Sequence, residues 1–198
     1  MAADDEILDA TWRALCTHGY ADLTMQDIAD ETTKSKAALH YHYDSKLDLL
    51  ETFLDHVADR FMERVTDAAA SADGDGADRL CAVIDAALSP PEKGDIEDMQ
   101  TALLELKAQS PHEPTFRERI RESDEQFRDL LADIIAAGVD DGSLREDVDP
   151  DETAHFIVTM FAGAQLRQVS VGESRQTVRA HIERHLDRHV YRREESAR

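Results

Sequence analysis

Between Thr33 and Lys46 the chain reads Thr-Lys-Ser-Lys-Ala-Ala-Leu-His-Tyr-His-Tyr-Asp-Ser-Lys. The stretch holds three of the five lysines (Lys34, Lys36, Lys46) and a single acid, Asp44, within a chain of formal net charge −21. A protein this acidic repels polyanions as a whole, so a small basic and aromatic island marks where a polyanion is admitted. The expected polyanion is double-stranded DNA. The competing reading is a surface turn joining two core helices, its lysines merely solvated. His40-x-His42 makes a poor metal pair, because positions two apart on a helix point to different faces.

The elements around the island are legible from caps and period. Met25, Ile28 and Ala29 fall at helical spacing behind Thr24, a capping hydroxyl, with Asp27 in the first turn where a carboxylate favours the helix dipole. Glu31 to Lys34 breaks the apolar period. Ser35 is then the natural N-cap of a second helix from Lys36 to about Tyr43, and in a helix-turn-helix the first turn of that helix reaches base edges in the major groove. Asp44-Ser45 punctuates the chain again. Ser45 caps a long third helix and sets Lys46 at its N-terminus, beside the phosphate backbone.

Ile7-Leu8-Asp9-Ala10, Gly19-Tyr20, Leu23-Thr24-Met25, Ile28-Ala29, Ser35-Lys36, Leu39, and Ser45-Lys46 with Leu49 together resemble the N-terminal signature of TetR-family transcriptional regulators, without a gap over roughly the first fifty residues. The resemblance implies an all-α homodimer: a three-helix helix-turn-helix DNA-binding domain, then a larger helical domain for ligand binding and dimerisation. It implies that Leu39 packs inward, that Lys36, Ala38 and Tyr41 face the groove, that Thr24, His42 and Lys46 meet phosphates, and that Thr33, Lys34 and Ser35 complete the DNA-contacting set. Tyr43 aligns with an aromatic that closes the small domain's core, whereas Tyr41 is exposed. Thr33 and Lys34 stand where the family usually has a glycine and an apolar residue. His40 and His42 stand where tyrosines are commonest.

At 198 residues and 41% hydrophobic content, the chain can bury a small and a larger domain. The expected division is 1–48 for DNA binding, 49–191 for effector binding and dimerisation, and a frayed tail over 192–198. One long helix runs from Leu49 through Val65 and ends before Ser71. Others are expected through Leu80–Leu88, stopped by Pro90-Pro91, through Met99–Leu106, and through Phe116–Ile135, closed by Gly138 and Gly142. Asp149-Pro150 starts an apolar helix through Val169, and Ser174 starts a last one through Val190. An acidic N-terminus and the lack of a long apolar run argue against a signal peptide or a membrane span, and so for a cytoplasmic protein. Cys16 and Cys81, few and far apart in apolar helical stretches, read as buried free thiols.

The penultimate helix is apolar on more than one face, so Phe161 and Leu166 there, with His181, His185 and His189 on the last helix, are the expected homodimer interface. Spacing of four along that histidine stripe also suits a metal or a pH-sensitive seam, but an interface rim is the reading adopted, and no metal or cofactor is expected. An unidentified effector is expected among Phe53, Val57, Phe61, Met99, Leu103, Phe127, Leu131, Phe156 and Met160, each of which also suits plain core. No nucleophile with a base at readable spacing and no phosphate-cradling glycine loop appears, which argues against an enzyme. The sequence therefore points to a repressor released from a pseudo-palindromic operator by a small molecule. A ligand-independent regulator, or a helical module that does not bind DNA, are the alternatives. Forty-three acids against five lysines and seventeen arginines suit a surface that stays hydrated in concentrated salt, the mark of a halophile.

Overall fold

The computed structural model describes residues 3–89 and 96–192, and the side chains of 5–89 and 100–192. Among these residues lie nine helices: α1 (Ala3–Asp22), α2 (Met25–Asp30), α3 (Lys36–His42), α4 (Lys46–Ser71), α5 (Gly76–Leu88), α6 (Ile96–Gln109), α7 (Pro114–Asp141), α8 (Pro150–Val171) and α9 (Arg175–His189). None is long and apolar enough to cross a membrane. Most starts carry the expected signal. Ser35 accepts from the Ala38 amide and Asp149 from that of Glu152, with Pro150 in the first turn of α8; Ser174 accepts from Gln176.

The chain packs as two compact units, one drawn from Met1–Arg60 and Pro91–Glu122, the other from Phe61–Pro90 and Ser123–Arg198. This grouping brings α6 and the start of α7 together with the first sixty residues. Unit one lays α6 along α1 and builds its core from Ile7, Leu15, Ile28, Leu39, Leu49, Phe53, Leu106 and Phe116, all essentially buried. Unit two packs α9 against α8 and α5 around Leu80, Val83, Leu131, Ile135, Ile157, Ile182 and Leu186.

Three local expectations change. Gly138 does not close α7 but lies inside it, because the start of α5 crosses there: a Cβ on Gly76 would stand 2.3 Å from the Gly138 Cα. Glycine at position 76 lets those backbones approach, whereas a Cβ on Gly138 would stand 2.7 Å from the Leu144 side chain. Arg192, the first residue of the expected frayed tail, is held by its amide on the Ser143 carbonyl at 3.2 Å, next to an antiparallel bridge between Leu144 and Tyr191; residues 193–198 lie outside the described ones. Cys16 and Cys81 form no disulfide, but Cys16 is half-buried and Cys81 exposed, since Cys81 sits one step round α5 from the buried Leu80; its Sγ lies 2.9 Å from the Tyr191 Oη.

Candidate nucleic-acid interface

α3 has seven residues, too few to be stable alone, so packing must hold it. Leu39 and Tyr43, four apart and therefore on one stripe, are 0% and 7% exposed in the core of unit one. The opposite face is thereby turned outward. Lys36, Ala37, His40, Tyr41 and His42 are exposed, Tyr41 to 87%, while Ala38 is half-buried. Tyr41 meets His42 edge-on at 5.5 Å, so the two rings form one aromatic projection. Ser35 spends its hydroxyl oxygen on the helix itself, accepting from the Ala38 amide at 3.2 Å.

The turn before α3 is built from a distant carboxylate. Glu6 of α1 accepts at Oε1 from the Thr32 hydroxyl (2.7 Å), the Thr33 hydroxyl (2.7 Å) and the Thr33 amide (3.2 Å), and its Oε2 lies 3.7 Å from the Lys34 ammonium. These donors, the Thr33 hydroxyl foremost, hold the Glu6 carboxyl down at about 2, against an ordinary 4.5. Thr33 and Lys34 thus replace a glycine turn with a threonine–lysine clasp on Glu6. The consequence for stability has a definite sign. A depressed carboxyl stabilises the fold fully above its unfolded value, and that contribution is lost as pH falls from about 4.5 through about 2, because the unfolded chain takes up the proton first. Melting curves of the protein and of Glu6→Gln across that window should therefore converge as pH falls. Parallel curves would show that the clasp does not hold the turn.

Thr24 caps α2 through a reciprocal box: the Asp27 amide donates to Thr24 Oγ1 at 3.3 Å, and Asp27 Oδ2 accepts from the Thr24 amide at 2.8 Å and hydroxyl at 2.6 Å. Arg13 closes the other end, donating to the Glu31 carbonyl at 2.6 Å and carboxylate at 3.1 Å.

Lys46 is half-buried and turned toward α1. Its ammonium donates to the carbonyls of Tyr20 (3.2 Å) and Leu23 (2.9 Å) and lies 4.9 Å from the Tyr20 ring centre. This is the pairing expected of a cation at a helix C-terminus. Gly19 breaks α1 at φ 69°, ψ 169°, a conformation essentially reserved for glycine, and frees the Tyr20 amide to donate to Glu105 of α6 at 2.8 Å. Glu6, Arg13 and Glu105 are the site-building residues that sequence reading passes over. Each acts on a partner far along the chain, Glu105 across 85 residues, where no spacing rule applies.

The effector candidates are divided between the two units. Phe53 is buried against Trp12 at 5.7 Å and, with the half-buried Val57 and Leu103, belongs to the core of unit one. Phe61, Phe127, Leu131, Phe156 and Met160 belong to that of unit two. The Met99 side chain lies outside the described residues. Two aromatics of α8 turn to different neighbours. Phe161, expected at the dimer interface, stacks on Phe61 at 5.5 Å and meets Phe127 at 5.7 Å, whereas Phe156, expected in the pocket, stacks on His185 at 4.1 Å, with His189 a further 4.8 Å on. Burial, then the like charge available to His189, pulls His185 below its ordinary value. Leu166 is 50% exposed; His181 and His189 are exposed too. Among the described residues no three His, Cys, Asp or Glu side chains gather as a metal site.

Residues 7–53 match the family model of bacterial regulatory proteins of the tetR family, and residues 76–190 that of the BetI-type transcriptional repressor C-terminal region. The chain is 27% identical over 159 residues to the HTH-type transcriptional repressor AcnR of Corynebacterium glutamicum, covering 80% of this chain and 77% of that one. It superposes on a TetR transcription regulator from Haloarcula marismortui with a TM-score of 0.86 and 38% identity, covering 94% and 97% of the two chains. A transcriptional regulator from Saccharomonospora viridis, solved in complex with choline, superposes with a TM-score of 0.83 at 25% identity over 96% and 98%. With its helix-turn-helix and its helical C-terminal part both matched, the chain belongs to the TetR family of DNA-binding transcriptional regulators.

Proposed function

We propose that this regulator is a homodimeric repressor, acting in the cytoplasm of a halophile, that leaves a pseudo-palindromic operator when a small molecule binds its C-terminal part. The observation that carries the DNA reading is α3 itself: Leu39 fully buried behind it and Tyr41 87% exposed in front. Lys36, Ala38 and Tyr41 face the groove in this reading, and Thr33, Ser35, His42 and the cap at Thr24 approach the phosphates. Lys34 and Lys46 act chiefly from within, holding the turn and the end of α1. The repressor reading is supported by the AcnR relative, and the response to a small molecule by the neighbour solved with choline. The halophilic source is supported by the Haloarcula neighbour and by an excess of acids over bases of 43 to 22.

A second copy is expected on α8 and α9. Thr159, Ala162 and Leu166 are exposed along α8, and a Cβ added at Gly163 would meet nothing within 4 Å, so another helix has room to approach closely. The test of the DNA reading is a gel shift on the region upstream of its own gene. Tyr41→Ala should weaken operator binding about tenfold or more while leaving random DNA nearly unaffected, the size of a lost base contact. Lys46→Ala should instead lower the melting temperature, since it uncaps α1. Unchanged discrimination in a folded Tyr41→Ala protein would remove α3 from the reading head.

A further inference from the structure

Several donors of the reading head are answered by the chain's own carboxylates. Asp27 takes the amide and hydroxyl of Thr24, Glu31 takes the Arg13 guanidinium, and Glu6 takes the turn between α2 and α3. The first two belong to helix ends: Asp27 completes a capping box, and Arg13 grips the Glu31 carbonyl as well. Glu6 differs. It reaches Thr33 from 27 residues away and gathers two hydroxyls, an amide and an ammonium on one carboxylate. Hydroxyls, backbone amides and lysines are also the groups that take a DNA phosphate. Nor is the contact sealed from water. Thr33 is exposed, and the side chains of Lys34 and Glu6 keep 25% and 30% of their surface. An ion pair at 3.7 Å in such a place is weak and readily exchanged for another.

We propose that Glu6 stands in for a DNA phosphate in the free protein: on the operator a phosphate takes the Thr33 and Lys34 donors, and the Glu6 carboxylate is released to water. The inference rests on the reading of α3 as the reading head, with Thr33 approaching the phosphates. The exchange has a thermodynamic signature. A lysine that neutralises a phosphate frees a counterion from the DNA, and this release is what makes affinity fall with salt. Here the displaced carboxylate gathers a cation in turn, so trading one anion for another on the same donors releases little. Glu6 thereby flattens the dependence of operator affinity on salt. A glutamine at this position still offers Oε1 to the threonine hydroxyls but has no charge to hold Lys34 or to be screened afterwards.

The experiment measures the affinity of the full chain for its operator and for a random duplex of the same length across potassium chloride, with circular dichroism on the same samples. The proteins compared are the unmodified chain, Glu6→Gln, Lys34→Gln, the double variant, and Asp30→Asn, which removes an exposed acid of α2 that pairs with Gln26. At the low end of the salt series Glu6→Gln should bind about threefold to tenfold more tightly, and its log–log slope against salt should be more negative by about one. Operator and random DNA should gain alike, because a phosphate contact carries no sequence. Lys34→Gln should remove most of that gain, so the double variant should nearly match Lys34→Gln alone. Asp30→Asn should move the slope much less. Glu6→Asp, which keeps the charge but sets it one methylene short of the turn, should shift the slope the same way and answers for the contact if the glutamine variant does not fold. The proposal is overturned by an unchanged slope in folded Glu6→Gln, by weaker binding of that variant, by a gain that survives Lys34→Gln, or by an equal effect of Asp30→Asn. If the unmodified protein binds no operator, the reading head falls and the exchange with it. If it binds, and Tyr41→Ala loses discrimination while Glu6→Gln changes nothing, only the exchange falls.

Discussion

Operator affinity should persist into molar potassium chloride, with a shallow or even reversed dependence on salt. An ordinary basic DNA binder loses about a thousandfold or more between roughly 50 and 200 mM, because each phosphate contact releases a counterion. The reading head of this protein has few cations to give. Its first fifty residues carry Arg13, Lys34, Lys36 and Lys46 against ten acids, and three of those four are committed inside the fold: Arg13 to Glu31, Lys34 to Glu6, Lys46 to the carbonyls of Tyr20 and Leu23. Lys36 stands exposed on α3, and Arg13, although paired, is exposed as well. Carboxylates near the DNA must be screened before the two surfaces can approach, so added salt removes repulsion at least as fast as it removes attraction. The measurement is a titration of operator affinity across potassium chloride with circular dichroism on the same samples, and the helical signal should weaken at low salt as the acids repel. A steep loss of affinity with rising salt, in protein that stays folded at low salt, would refute the halophile reading.

Leu166→Asp should split the dimer and cut operator affinity about a hundredfold to ten-thousandfold, the gain that linking two half-site readers supplies. Leu166 is already 50% exposed in the single chain, so the substitution should barely change the stability of the protomer, and its circular dichroism in molar salt should match that of the unmodified protein. Between two copies, however, each aspartate would be taken out of water beside Thr159, Ala162 and Gly163 of α8. Light scattering should give twice the chain mass for the unmodified protein at micromolar concentration and the single mass for the variant. A variant that stays dimeric, or an unmodified protein that is monomeric, would move the interface off α8.

The sequence by itself determined what depends on neighbours within about four residues. The helical period places Leu39 and Tyr43 on one stripe and so exposes Tyr41, and the side chains of Thr24, Ser35, Asp149 and Ser174 cap the helices they precede. These features repeat at fixed spacing because a helix brings i and i+4 together whatever surrounds it. Only the tertiary structure decided which polar groups meet across the chain. Lys46 reads from its position as a phosphate contact, yet its ammonium reaches back 26 and 23 residues to carbonyls at the end of α1. Thr33 lies 27 residues from Glu6, and Arg175 lies 87 from Leu88. Phe156 and Phe161 show the same limit on one helix: both are apolar and five residues apart, so composition cannot tell which turns toward Phe61 and which toward His185. The packing of α8 between its neighbours settles that, because a residue's direction on a helix is known from the sequence only relative to the helix, and the helix's own rotation is fixed by what it is packed against.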